Sequence, residues 1–165
     1  MIRFIENVAR DDIRHGWHYD AGPNAMLIQI SDPPGDHPTP KHQFKEVHQF
    51  DFLDAEDEDG FDEEFKITDE QAEQLVRCLQ HALENHMNVV VHCHAGICRS
   101  GAVVEVASMM GFTPTDRYRQ PNLRVKHKMM KVLGWTYDDN EKTTSTGGWI
   151  SAGGIAMPFK GVDNA

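Results

Sequence analysis

The sequence predicts an α/β fold of three layers: a mainly parallel central sheet of four or five strands with helices on both faces. Three observations carry that expectation. Val89-Val90-Val91 is an unbroken β-branched run, the pattern of a strand buried on both faces of a parallel sheet. Ala25-Met26-Leu27-Ile28-Gln29-Ile30-Ser31 is a second such run, closed by the turn residues Asp32-Pro33-Pro34-Gly35. Between them, Ala72, Leu75, Val76, Leu79, Ala82 and Leu83 recur at helical spacing. Strands alternating with helices are the signature of an α/β sheet.

In chain order, Ile2 to Ile5 alternates and predicts a first strand, and Ala9 to Gly22 is polar and mixed, a helix turn or loop. The Ala25–Ser31 strand and its proline–glycine loop follow. Lys45 to Leu53 alternates around Val47, Phe50 and Phe52 and reads as another strand. It runs into an acidic stretch from Asp54 to Glu64 that contains no cation, so a solvated loop unable to close on itself is expected. Thr68-Asp69-Glu70-Gln71 matches a capping box and opens the amphipathic helix, which should end between Asn85 and Asn88. After the valine strand and a tight loop, Ala102 to Met110 reads as a largely buried helix stopped by Gly111. Thr113-Pro114-Thr115 starts a short segment, and Pro121-Asn122 opens a helix running through Leu133 to Gly134. From Asp138 the pattern dissolves. Residues 1–137 are expected to form one domain and 138–165 a partly ordered tail.

The chain has 165 residues, enough for one sizeable core. A formal net charge of −10 argues against nucleic-acid backbones and anionic membranes as partners. No run is long enough to span a bilayer. The opening Met-Ile-Arg-Phe-Ile-Glu carries an early acid and lacks a signal-peptide core. Three cysteines fit a reducing compartment better than a disulfide scaffold. A cytoplasmic monomer is the expectation.

The chemistry concentrates in Val-Val-Val-His-Cys-His-Ala-Gly-Ile-Cys-Arg-Ser-Gly, residues 89–101. A loop wrapped over a helix N-terminus aims several backbone N–H groups at one spot, and the helix dipole adds positive potential there. The amides of His94, Ala95, Gly96, Ile97, Cys98 and Arg99 would line such a site. Arg99 adds a planar fork that matches two phosphate oxygens. Cys93 opens the loop, where the same field favours thiolate over thiol. A thiolate facing a bound phosphoryl group is a nucleophile aimed at phosphorus. Gly96 lets the backbone turn tightly, and Ser100 can donate to the sulfur and help it leave.

His92-Cys93-x-x-Gly96-x-x-Arg99-Ser100 resembles the Cys-x5-Arg signature of the protein tyrosine phosphatase superfamily, and the fuller His-Cys-x-Ala-Gly-x-x-Arg-Ser-Gly string is matched from His92 to Gly101. The flanks resemble the short dual-specificity-like phosphatases over roughly residues 26–134. That group has a similar segment, Leu-Ile-Ser-Ile then Asp-Pro, in its central sheet. The resemblance implies a two-step phosphocysteine mechanism with no metal or other cofactor. The substrate would be a phosphorylated protein or small phosphoester: phosphotyrosine, with phosphoserine or phosphothreonine open. It also implies a general acid on a loop before the nucleophile. The group's Phe-x-Asp pattern matches Phe52-Leu53-Asp54, which makes Asp54 the first choice, then Asp57, then Asp51. His92 would hold the loop and tune the thiol, or simply satisfy a backbone carbonyl.

Cys98 departs from the family's usual Gly, Ser or Thr. Gly-Ile-Cys-Arg-Ser is similar to the loop end of low-molecular-weight tyrosine phosphatases, where the second cysteine forms a reversible disulfide with the nucleophile. Cys98 is thus either a redox partner of Cys93 or a small buried residue. Cys78 reads as a quiet structural thiol. Arg117, Arg119 and Arg124 either draw a phosphorylated substrate or are plain surface charge. The rival readings are a rhodanese-like sulfurtransferase, an arsenate reductase, a zinc site on His92, Cys93, His94 and Cys98, and a non-catalytic phosphate-binding module. The Arg-Ser-Gly ending and the five-residue gap weigh against the sulfurtransferase, and the absence of a second ligand pair weighs against the zinc site.

Overall fold

The computed structural model describes residues 3–135. Strands β1 (Phe4–Ala9), β2 (Ala25–Ser31), β3 (Glu46–Asp51), β4 (Asn88–Cys93) and β5 (Thr113–Pro114) form one five-stranded sheet in the order β3-β2-β4-β1-β5. Every pairing is parallel. The helices are α1 (Arg10–His15), α2 (Asp69–Glu84), α3 (Arg99–Met110) and α4 (Leu123–Val132). The three-layer α/β architecture is the one the sequence predicts, with layers of unequal weight. Among the described residues no helix is long and apolar enough to cross a membrane. The expected tail at 138–165 lies outside the described residues.

Side-chain alternation divides the core. Met26, Ile28 and Ile30 of β2, with Val89 and Val91 of β4, face the larger cluster, which α2, α3 and α4 complete. Ala25, Leu27 and Val90 face the other way, onto a small cluster with Ile13 of α1, Ala21 and the half-buried Phe44. The valine run is continuous because both faces are covered. Full burial of such a side chain contributes about 1.5–3 kcal/mol.

The helix ends follow their local signals. Thr68 Oγ1 accepts from the Gln71 amide at 3.1 Å, and Gln71 Oε1 accepts from the Thr68 amide at 3.0 Å. Gly111, at φ +126°, closes α3. α4 begins slightly later than expected. Asn122 is its cap and not its first turn, with the side-chain oxygen accepting from the Val125 amide at 3.0 Å.

β1 runs on to Ala9, beyond the expected Ile5. The apolar pattern stops at Glu6 and Asn7, yet both are buried, at 2% and 1% exposure. Their partners lie far away in sequence: Arg117 Nε donates to Glu6 at 2.8 Å, and Asn7 Nδ2 donates to the carbonyls of Gly96 and Tyr118. Buried polar groups of this kind break a hydrophobic pattern without ending the strand.

The acidic stretch is also corrected. It closes, around cations supplied from outside it. Lys66, 2% exposed, donates through Nζ to the carbonyls of Asp57 and Asp59 and pairs with Glu63 at 3.1 Å. Arg124 Nη1 pairs with Asp57 at 2.9 Å and Glu63 at 3.2 Å. Glu56 accepts from the amides of Leu123 and Arg124, so an acid of the loop sits on the positive end of α4.

Parallel pairing brings the strand ends to one edge. Ala9 is opposite Cys93, Gln29 is opposite His92, and Ser31 is opposite Asp51. The loops after β1, β2, β3 and β4 therefore share the carboxyl edge of the sheet, where open α/β sheets bind ligands.

Candidate active site

Residues 94–98 form a tight loop between β4 and α3. Its carbonyls are tied outward. His94 O accepts from the Arg10 amide at 3.2 Å, Ile97 O from Gln120 at 3.1 Å, and Cys98 O from Asn122 at 2.9 Å. Gly96 O accepts from Asn7 Nδ2 at 2.7 Å. With these carbonyls held outside, the peptide planes turn their N–H groups to the inner side of the loop. Gly96 has φ +76°, and a Cβ there would collide with the backbone of Val8 and Ala9. Only glycine fits. His94 and Ala95 are exposed, Ile97 and Cys98 half-buried.

Arg99 opens α3 with its side chain 5% exposed. Its Nη1 donates to Asp32 Oδ1 at 2.7 Å and to Phe52 O at 2.8 Å. Both Nη1 hydrogens are thereby used. The buried Nε has no protein partner among the described residues. The Nε–Nη2 edge thus keeps two parallel donors, the fork that matches two oxygens of a phosphate.

Cys93 is 2% exposed, and its Sγ lies 3.2 Å from Ser100 Oγ, itself fully buried. His92 is fully buried in β4. Burial pushes its imidazole down to about 4, with the charges of His37, Arg10 and Arg99 adding to the effect. Its Nδ1 reaches the Cys93 carbonyl only at 3.5 Å. A neutral histidine behind the loop results.

Asp54 is exposed, near the start of the loop that follows β3. Its Oδ1 accepts from Asn122 Nδ2 at 2.7 Å. Burial, then the charges of Asp54 and Cys93, push the Cys98 thiol up to about 11. Asp54, Cys98 and Asn122 line a cleft of about 250 Å³ with Glu56, Gln120 and Pro121. Of the three carboxylates proposed as acid, Asp54 is the one beside the loop. Asp57 is taken by Arg124, and Asp51 accepts from His37 Nε2 at 2.8 Å.

Arg117 is held by Glu6 and Asp12, Arg119 by Glu105, and Arg124 by Asp57 and Glu63. Each of these three arginines is tied into the fold by ion pairs. Sequence reasoning missed Asp32, Asn7 and the double role of Asn122. Only Asp32 left a local signal, a carboxylate placed directly after a central strand.

A buried thiol at a strand end, a hydroxyl beside it, an outward-tied loop and an arginine with one edge unpaired are thus brought together at the carboxyl edge of the sheet. Residues 63–112 match the family model described as Tc-R-P, "Polymorphic toxin system, DSP-PTPase phosphatase". The matched stretch holds α2, β4, the loop and α3, and with them Cys93, Arg99 and Ser100 but not Asp32, Asp54 or Asn122. It is consistent with a dual-specificity-like phosphatase of the protein tyrosine phosphatase superfamily and supports hydrolysis of phosphate esters. No curated protein matches the chain.

Proposed function

We propose that the protein is a cysteine-dependent phosphoprotein phosphatase acting on phosphotyrosine, with phosphoserine and phosphothreonine as further substrates, through a phosphocysteine intermediate. The observation that carries this reading is the loop between Cys93 and Arg99, its carbonyls bonded outward and one arginine edge unpaired. The phosphoryl group lies against the loop amides and that edge. Cys93 thiolate attacks phosphorus, and the S–P bond forms as the ester P–O bond breaks. Asp54 gives its proton to the departing oxygen. Water then attacks the phosphocysteine, Asp54 accepts its proton, and Ser100 donates to the sulfur as it leaves.

The exposed acids Glu58, Asp59, Asp62 and Glu64 flank the cleft's acid loop. They favour neutral or basic residues beside the phosphorylated one. Acidic phosphotyrosine peptides turning over faster than basic ones would refute that preference. The reading as a whole is tested by phosphate release from p-nitrophenyl phosphate: the parent turns over, and Cys93→Ser does not.

A further inference from the structure

We infer that Asp32 is a positioning residue of the phosphate site, and that the loop after β2 is built to present it. The inference rests on the phosphatase reading above and names a residue outside the cysteine–arginine signature. Asp32 Oδ1 accepts from Arg99 Nη1 at 2.7 Å across 67 residues of sequence, on the side of the guanidinium opposite the unpaired Nε. Phe52 O takes the second Nη1 hydrogen at 2.8 Å. A planar guanidinium pinned through both hydrogens of one nitrogen cannot rotate, so the Nε–Nη2 edge has one orientation.

The presenting loop is itself fixed at several points. His37 Nε2 donates to Asp51 Oδ1 at 2.8 Å, and its Nδ1 lies 3.0 Å from Ser31 Oγ. Arg10 pairs with Asp36 at 2.9 Å. The Gly35 amide donates to Asp32 O at 2.8 Å, and Gln29 Nε2 donates to Pro38 O at 2.8 Å. Gly35, at φ +91°, lies over the Asp51 carboxylate, where a Cβ would collide with it. Asp51, an acid candidate by sequence, thus anchors the loop that carries Asp32. The Asp32 side chain is 60% exposed while Arg99 is 5% exposed. Asp32 is therefore no core support, and trimming it leaves packing intact. It contributes the acceptor that aims a buried donor fork.

The test uses Asp32→Ala and Asp32→Asn in the full chain. Inorganic phosphate binding is measured by calorimetry, alongside KM and kcat for p-nitrophenyl phosphate and the thermal midpoint. Asn keeps an acceptor for Nη1 and Ala does not. A hydrogen bond to a charged group sets the scale: phosphate affinity should fall about tenfold in Asp32→Ala, with KM rising alike and the midpoint unmoved. Asp32→Asn should recover affinity to within about threefold, since the acceptor geometry is restored. Parental phosphate affinity in Asp32→Ala overturns the inference, and so does equal loss in both variants. The calorimetric readout needs no turnover, so an inactive parent would sink the phosphatase reading and leave this one measurable.

Discussion

Replacing Asn122 by Asp removes one donor and keeps one acceptor. The retained oxygen still accepts from the Val125 amide and caps α4, a contact worth about 1 kcal/mol. The lost Nδ2 donates to Asp54 Oδ1 at 2.7 Å and to Ala55 O at 3.1 Å. A hydrogen bond to a charged group is worth about 1.5–3 kcal/mol. Each 1.4 kcal/mol is roughly tenfold in rate, so misplacing the acid should cost about 10- to 100-fold. The loss should depend on the leaving group. A good leaving group such as p-nitrophenolate needs little protonation, whereas a poor one needs a proton in the transition state. The assay is kcat/KM over a series of aryl phosphates of rising phenol pKa. Asn122→Asp should steepen the dependence, as Asp54→Asn should. A uniform loss across the series, or none, would refute the role given to the Asn122–Asp54 contact.

Gly96→Ala should lower the thermal midpoint and weaken phosphate binding together, because the left-handed backbone costs about 1–2 kcal/mol and the clash with Val8 and Ala9 about 1–3 more; an unmoved midpoint contradicts this. His92 has its folded pKa lowered to about 4 from 6.5. Its stability share is therefore present above about pH 6.5 and is lost as pH falls toward about 4, some ~3 kcal/mol at about 1.36 kcal/mol per unit. Urea unfolding should show His92→Gln losing less stability than the parent over that window, and parallel losses would contradict the assignment. Peroxide-inactivated parent should recover with dithiothreitol while Cys98→Ser should not. Since the Cys98 thiol is pushed up to about 11, protection should strengthen as pH rises; equal recovery of the two proteins removes the redox role.

The parts of the fold that were legible in the sequence are those decided by neighbours in the chain. Val89–Val91, the Thr68 box and Gly111 each carry their own signal within a few residues. The site loop belongs to this class: Cys93, Gly96, Arg99 and Ser100 lie on one continuous strand–turn–helix stretch, so the sequence alone brings them together. What could not be read depends on partners distant in sequence. Lys66 and Arg124 look like surface charges until the acidic loop folds over them. Glu6 and Asn7 look like the end of a strand until Arg117 and the Gly96 carbonyl arrive. Asp32 reads as a turn former beside Pro33, and its pairing with Arg99 exists only once β2 and β4 lie side by side.

Acid quenching of the enzyme within its first turnovers of p-nitrophenyl phosphate, followed by peptide mass analysis, tests the nucleophile most directly. The phosphoryl group should be found on the sulfur of Cys93. It should accumulate further in Ser100→Ala, where the hydroxyl 3.2 Å from that sulfur no longer assists its departure. Sustained turnover with no phosphoryl group on Cys93, or with Cys93 replaced by serine, would contradict the mechanism.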